Sequence, residues 1–378
     1  MSEWTAAWAA SPQMPSTGFT PNWSQEGFSH QTVRQVVRVT AGGERLRLRL
    51  TNAYGTSPLH LTGATVARAA RGAAVEEGSV RHVTFDGRRS VAVPARGELR
   101  SDPVRLPVEP LGQVTVTLHF AGTTGPSTFH AQAWADTYRA DGDHRADAAG
   151  AAFTAVTSSW YYLSGVEVAA ARADGIVLFG DSITDGFGST PGADRRWSDA
   201  LAGLTGRPVL NAGIGGNLVL NDSAWYGERA TARFRRDALD QPGVSTVVVL
   251  EGLNDIGFSE ASDEPTYKPA PVVTAERLIG GYRDLIRQAH GSGLRVIGST
   301  LLPLGGSDHW GAHSARTSRE INEWVRTAGA FDAVVDLGRA LADPADPDRL
   351  HPAFDHGDRL HPNDKGYQAM AEALAHVL

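Results

Sequence analysis

Ile176-Val177-Leu178-Phe179-Gly180-Asp181-Ser182-Ile183-Thr184-Asp185-Gly186 is an apolar run that stops at a glycine-bracketed turn. Four apolar, largely β-type residues bounded by turn residues read as a buried strand with an abrupt end. Further apolar strand candidates lie at 208–210, 244–250, 294–300 and 333–336. Helical spacing falls between them, near 194–205, 225–239, 274–291 and 314–328, and a last helix runs from 363 to 378. This alternation predicts a parallel five-stranded sheet covered by helices on both faces, a three-layer α/β/α domain over residues 171–378. Ligands of such open sheets bind at the carboxyl ends of the strands, which places Ser182 where a substrate arrives.

Upstream, over residues 1–170, the period is two. Arg45-Leu46-Arg47-Leu48-Arg49-Leu50 alternates strictly, as does Gln113-Val114-Thr115-Val116-Thr117-Leu118-His119-Phe120, and Val33 to Val39 does so more weakly. Short strands punctuated by Gly, Pro and Asn predict an antiparallel β-sandwich of jelly-roll type, with Arg45, Arg47 and Arg49 on a solvated face. The polar stretch from Arg139 to Gly150 reads as an exposed loop, and a strand around Trp160 to Val168 closes the domain. Trp160-Tyr161-Tyr162 suggests either a ligand platform or, as the preferred reading, an aromatic strand packed between the domains.

A chain of 378 residues is too long for one ordinary core, in keeping with two domains. The 35 Lys and Arg are spread along it and the net charge is -7, which gives no reason to expect nucleic acid or an anionic membrane as partner. With no cysteine there is no disulfide, thiolate metal site or cysteine nucleophile. His30, His60, His82 and His130 lack metal-ligand spacing, and no metal or cofactor is expected. Met1 to Trp8 shows no basic and apolar leader pattern, and no apolar stretch reaches the 18 residues of a membrane span, so the expected location is cytoplasmic.

A serine hydroxyl is a weak nucleophile until a base activates it. Asp358-Arg359-Leu360-His361-Pro362-Asn363 supplies one: His361 to take the proton, and Asp358 to fix the imidazole tautomer and stabilise the imidazolium. Charge developing on the attacked carbonyl needs aimed donors. Asn211-Ala212-Gly213-Ile214-Gly215-Gly216-Asn217 follows the second strand and offers backbone N–H groups; Glu251-Gly252-Leu253-Asn254-Asp255 follows the third and offers the Asn254 amide. The N–H of Ser182 is a third donor.

These four blocks resemble those of the SGNH hydrolases, the GDSL esterase/lipase superfamily. Gly180 to Ile183 matches the first block; Asn211 to Gly216 matches the second, with Gly216 on the oxyanion-donor position. Gly252 to Asp255 matches the third, with Asn254 on the other donor position, and Asp358 with His361 matches the last. The resemblance covers residues 174–378 and implies a flavodoxin-like sheet and acyl transfer through a seryl intermediate without metal. The N-terminal sandwich is loosely similar to those attached to some bacterial carbohydrate esterases and to acyltransferase members of the family.

Several assignments have a rival. Ser182-x-x-Asp185 is also a helix-capping pattern. Asp348-Arg349-Leu350-His351-Pro352 duplicates the last block ten residues upstream. His361 is preferred because Asn363 can cap a helix carrying Tyr367, Met370 and Leu374, whereas the first copy reads as a surface loop rimming the cleft. Gly213 and Gly215 serve turn geometry as readily as ligand binding. Asp181, Asp185, Asn211 and Asp255 read as scaffold. His309 and Trp310 lie in a glycine-rich loop at the same sheet edge, as pocket-shaping or solvent-exposed residues. The expected protein is a serine ester hydrolase acting on a small-molecule ester, with glycoside and natural-product esters among the candidates. The alternatives are an acyltransferase using the same triad, and a non-catalytic carbohydrate-binding protein. Oligomeric state is not legible.

Overall fold

Residues 175–180 are buried on both faces, so this strand can only be an inner one, and its neighbours follow from that. In the computed structural model, which describes residues 3–261 and 264–378, the chain divides into two compact units between Ala173 and Asp174. The second unit holds a parallel sheet of β1 (Gly175–Gly180), β2 (Val209–Gly213), β3 (Val244–Leu250), β4 (Arg295–Ser299) and β5 (Ala333–Val335), in spatial order β2-β1-β3-β4-β5. All four pairings are parallel. The order reverses at β1, so the loops leaving β1, β2 and β3 meet at one crevice.

The helices are α1 (Ser182–Asp185), α2 (Trp197–Thr205), α3 (Ala230–Phe234), α4 (Leu253–Gly257), α5 (Ala275–Gly291), α6 (Ala312–Thr327), α7 (Leu337–Ala340) and α8 (Asp364–Ala375). One layer packs α2, α7 and α8 together; the other packs α3 with α5 and α5 with α6. The longest helix, α5, starts where the Thr274 side chain accepts from Arg277 N, and it buries Leu278, Tyr282, Leu285, Ile286 and Ala289 at three- and four-residue spacing. Each large apolar side chain so buried contributes about 1.5–3 kcal/mol. Among the described residues no helix is long and apolar enough to cross a membrane.

The flavodoxin-like expectation holds for strands and helix types, with local differences. The helix expected over 225–239 starts only at Ala230 and continues as a π-helical turn over Arg235–Leu239. Its first residues are diverted because Asn217 Nδ2 donates to Tyr226 O and Glu228 O, carbonyls that a helix would use. The one-turn helices α1, α4 and α7 are too short to show periodicity in sequence.

The first unit is an antiparallel β-sandwich. One sheet sets Leu163–Ala169 between Trp4–Ala9 and Gly43–Thr51, with Glu98–Arg100 and Val104–Val108 also paired to Gly43–Thr51. The other runs Ala155–Thr157, Thr137–Asp141, Gln31–Arg38, Gln113–Phe120, Gly63–Arg68, Arg81–Val83. Leu46, Leu48 and Leu50 from the first sheet and Val33, Val37, Val116 and Leu118 from the second share one core. Arg45 is exposed as expected, but Arg49 is buried at 5% exposure: its guanidinium lies against the cross-strand Gly165, where a Cβ would come within 3.0 Å of it, and donates to Ser164 O. Arg139 to Asp141 belong to a strand rather than to the expected loop. Trp160, Tyr161 and Tyr162 lie in the sandwich's own core; Trp160 meets Trp8 edge-on at 4.8 Å, and Tyr161 stacks on Trp23 at 5.6 Å.

Candidate active site

Ser182 is the first residue of α1, directly past the tip of β1. The cap of that turn is Asp181, whose Oδ1 accepts from Ile183 N at 3.0 Å, so the capping role open to Ser182 in the sequence is already filled. Ser182 Oγ lies 2.8 Å from His361 Nε2, and His361 Nδ1 lies 2.6 Å from Asp358 Oδ2. The other Asp358 oxygen accepts from His361 N at 2.8 Å and Leu360 N at 3.0 Å. Burial works against the Asp358 charge. The hydrogen bond and positive field of His361, with the two backbone N–H groups, outweigh it and hold the carboxyl well below the usual range.

The loop carrying this pair is braced from both ends. Asn363 Oδ1 accepts from Lys365 N and Gly366 N to cap α8, while its Nδ2 donates to Ala353 O and Asp355 O. Tyr367, Met370 and Leu374 are fully buried. The Tyr367 hydroxyl donates to Phe187 O at 2.5 Å, and the Phe187 ring packs on the His361 imidazole at 4.3 Å. Arg359 takes a left-handed conformation, φ 65°, with its N–H on Asp355 Oδ1.

The duplicated segment is put to other use. Asp346–Leu350 is a short strand paired with Ala342–Asp343, not a loop. Asp348 pairs with Arg319, and His351 Nδ1 accepts from Ala353 N. Spacing alone leaves two Asp-x-x-His candidates; the fold brings only His361 to Ser182.

The loops after β2 and β3 carry the remaining donor candidates. Gly213 N donates to Asn211 Oδ1 and Gly215 N to Asp185 Oδ2, so both are committed to the loop itself. Gly216 N has no acceptor among the described residues. Gly216 has φ +74°, and a Cβ there would lie 2.4 Å from the Tyr226 ring, so only glycine holds this backbone in place. Asn254 is 5% exposed and donates from Nδ2 to Asn217 O at 3.0 Å. Asp255 accepts from Val219 N and Leu220 N, and Asn211 donates to Thr184 O, the scaffold work expected of both. His309 is 2% exposed, with Nε2 3.2 Å from Asn254 Oδ1, and Trp310 is half-buried beside it.

Arg233 carried no sequence signal: a single arginine in a short helix belongs to no motif. It is fully buried and donates to Gly180 O, Ala212 O and Asn217 Oδ1, tying the ends of β1 and β2 to the glycine loop. Its ion-pair partners are Asp237 at 3.2 Å and Glu251 at 3.8 Å. Burial, and then neighbouring negative charge, push Glu251 well above the usual carboxylate range. Burial likewise pushes Asp181 and Asp255 up to about 7.

The GDSL-like lipase/acylhydrolase family model matches residues 178–369, just over half of the chain. The chain belongs to this family. Several solved structures resemble about half of the chain. A GDSL-like lipase from Bacteroides thetaiotaomicron is 18% identical over 53% of this chain and 86% of its own, with a TM-score of 0.40. An aryl esterase from M. smegmatis is 16% identical over 54% of this chain and 97% of its own, with a TM-score of 0.42. The acetylxylan esterase Axe2 from Geobacillus stearothermophilus is 22% identical over 54% and 93%, with a TM-score of 0.41. No curated protein sequence matches. Among the described residues of this GDSL-family chain, no group of three or more His, Asp or Glu side chains could hold a metal ion.

Proposed function

We propose that this GDSL-family protein is a serine carboxylic-ester hydrolase that works through a seryl acyl-enzyme. The observation that carries the reading is the unbroken chain from Ser182 Oγ through His361 to Asp358, at 2.8 and 2.6 Å. Ser182 Oγ attacks the ester carbonyl while His361 Nε2 takes its proton; Asp358 holds the imidazole in the tautomer that can accept and stabilises the resulting cation. The carbonyl oxygen, now negative, is met by the N–H groups of Ser182 and Gly216 and by the Asn254 amide. His361 returns the proton to the departing alkoxide, leaving the acyl group on Ser182. Water then repeats the sequence and releases the acid and the free serine.

The substrate class is a small-molecule carboxylic ester, glycoside and natural-product esters included. The first half-reaction is common to hydrolysis and to acyl transfer onto an alcohol. Product analysis on a simple aryl ester with a competing alcohol separates them: acid as the main product supports hydrolysis, and ester exchange at low alcohol concentration overturns it. Ser182→Ala tests the nucleophile itself. Turnover of the aryl ester should vanish, and an unchanged rate would remove the whole reading.

A further inference from the structure

The Asn254 side chain has its orientation imposed from two sides. Nδ2 donates to Asn217 O at 3.0 Å, and a carbonyl can only accept, so Oδ1 is turned the other way, toward His309 Nε2 at 3.2 Å. Oδ1 also only accepts, so His309 donates from Nε2. On the far side of the ring, Nδ1 lies 2.7 Å from Asp308 Oδ1, and this bond is the largest cause of the lowered Asp308 pKa. A charged carboxylate accepts as well. Both ring nitrogens therefore face acceptors.

The ring cannot easily leave this position. It stands edge-on to Phe258 at 5.6 Å and to Tyr267 at 5.7 Å, and these two stack on each other at 3.9 Å. Beneath it the backbone comes so close that a Cβ on Gly257 would lie 2.1 Å from the imidazole Cδ2. A buried histidine with both nitrogens engaged by acceptors, one of them the amide read as an oxyanion donor, does more than fill space.

We propose that His309, held by Asp308, is a positioning residue of the oxyanion hole: it clamps the Asn254 amide so that the second N–H of Nδ2 serves the oxyanion. A proton donated to Oδ1 also draws electron density away from Nδ2 and strengthens its N–H as a donor, the cooperative effect of linked hydrogen bonds. The site thus has two Asp–His pairs with different tasks. Asp358–His361 moves a proton; Asp308–His309 orients an amide. The inference rests on the reading of Asn254 as an oxyanion donor.

The test is a kinetic cycle on a simple aryl ester. His309→Phe keeps a ring against Phe258 and Tyr267 but removes the donor; His309→Gln restores a donor at the reach of Nε2. One oxyanion donor is worth about 10²–10³ in kcat, so His309→Phe should lower kcat by about tenfold or more with KM within about twofold, and His309→Gln should recover most of it. In an Asn254→Ala background the same His309→Phe change should cost less than about twofold, because the group it acts through is gone. An equal loss in both backgrounds, or an unchanged kcat in His309→Phe, overturns the proposal. Asp308→Ala, on a side chain 56% exposed, guards against a His309→Phe protein that does not fold. Its kcat should fall in the parent and not in the Asn254→Ala background, and any other pattern counts against the clamp. Failure here leaves Ser182→Ala inactive, whereas failure of the hydrolase reading leaves Ser182→Ala active, so the two are told apart.

Discussion

Replacing Asp358 by Asn should disable the protein without unfolding it, and the structure says why. One carboxylate oxygen accepts two backbone N–H groups, from Leu360 and His361, and the other takes the Nδ1 proton at 2.6 Å. An asparagine must keep its oxygen on the two N–H groups, since its NH2 there would face donors. The NH2 then occupies the second position and points at Nδ1. Nδ1 is forced to accept, the ring proton moves to Nε2, and the face presented to Ser182 Oγ at 2.8 Å becomes a donor instead of a base. The productive tautomer returns only if the amide flips and leaves two backbone donors unmade. At about 1–3 kcal/mol for each, about 2–6 kcal/mol in all, the competent fraction falls by a factor between about 30 and about 3 × 10⁴. The same replacement in another serine triad costs about 10⁴ in kcat. The assay is release of p-nitrophenol from a short acyl ester under saturating substrate, with a thermal melt of each variant. A melting temperature close to the parent with a kcat loss below about tenfold would refute the tautomer argument.

Three further outcomes follow. His361→Ala should abolish esterase turnover, whereas His351→Ala, whose ring meets Phe354 and a backbone N–H, should leave kcat within about twofold; loss in the second alone reverses the assignment. Gly216→Ala combines a left-handed φ of +74° with a contact of 2.4 Å to Tyr226. It should lower kcat by about 10²-fold or more through displacement of that N–H, with soluble folded protein recovered, and full activity would show that the backbone there has room. The buried Glu251 carboxyl has no hydrogen-bond partner among the described residues and, like Asp181 and Asp255, binds its proton more tightly in the folded chain. Such groups contribute fully below the unfolded carboxyl value of about 4 and lose that contribution as pH rises through the folded values, so melting temperature should decline between pH 5 and 8. Glu251→Gln should flatten this decline, and an identical slope would exclude Glu251 as a source.

The sheet and its helices were legible because their signals are local and long. Val244 to Leu250 ends in the apolar run Val247-Val248-Val249-Leu250, and α5 repeats its buried residues over four turns. The π-turn at Arg235 to Leu239 was not legible, because the groups that divert the chain there come from Asn217. In the sandwich, Arg49 follows the same alternation as Arg45 and yet is buried, with its guanidinium against Gly165 and Ser164 O of a strand more than a hundred residues later. Periodicity reports which face a side chain takes, not what another segment lays upon that face.

The site divides in the same way. Gly180-Asp181-Ser182, the glycine loop, Gly252 to Asp255 and Asp-x-x-His each encode a local backbone geometry in contiguous residues, so type and order could be read from the chain alone. Contacts between Ser182 and His361, 179 residues apart, and between Asn254 and His309, 55 apart, depend on how the loops after separate elements are packed. For the two nearly identical Asp-x-x-His segments, the sequence favoured the second through its capping Asn363, and the tertiary structure adds that Asp348 is committed to Arg319 while Asn363 and Tyr367 brace the second copy. It also turned His309 from a loop residue into a partner of Asn254 and buried Arg233 where β1, β2 and the glycine loop meet. Hydrogen-bond partners are chosen by position in space, and sequence spacing carries that information only within a turn or two of chain.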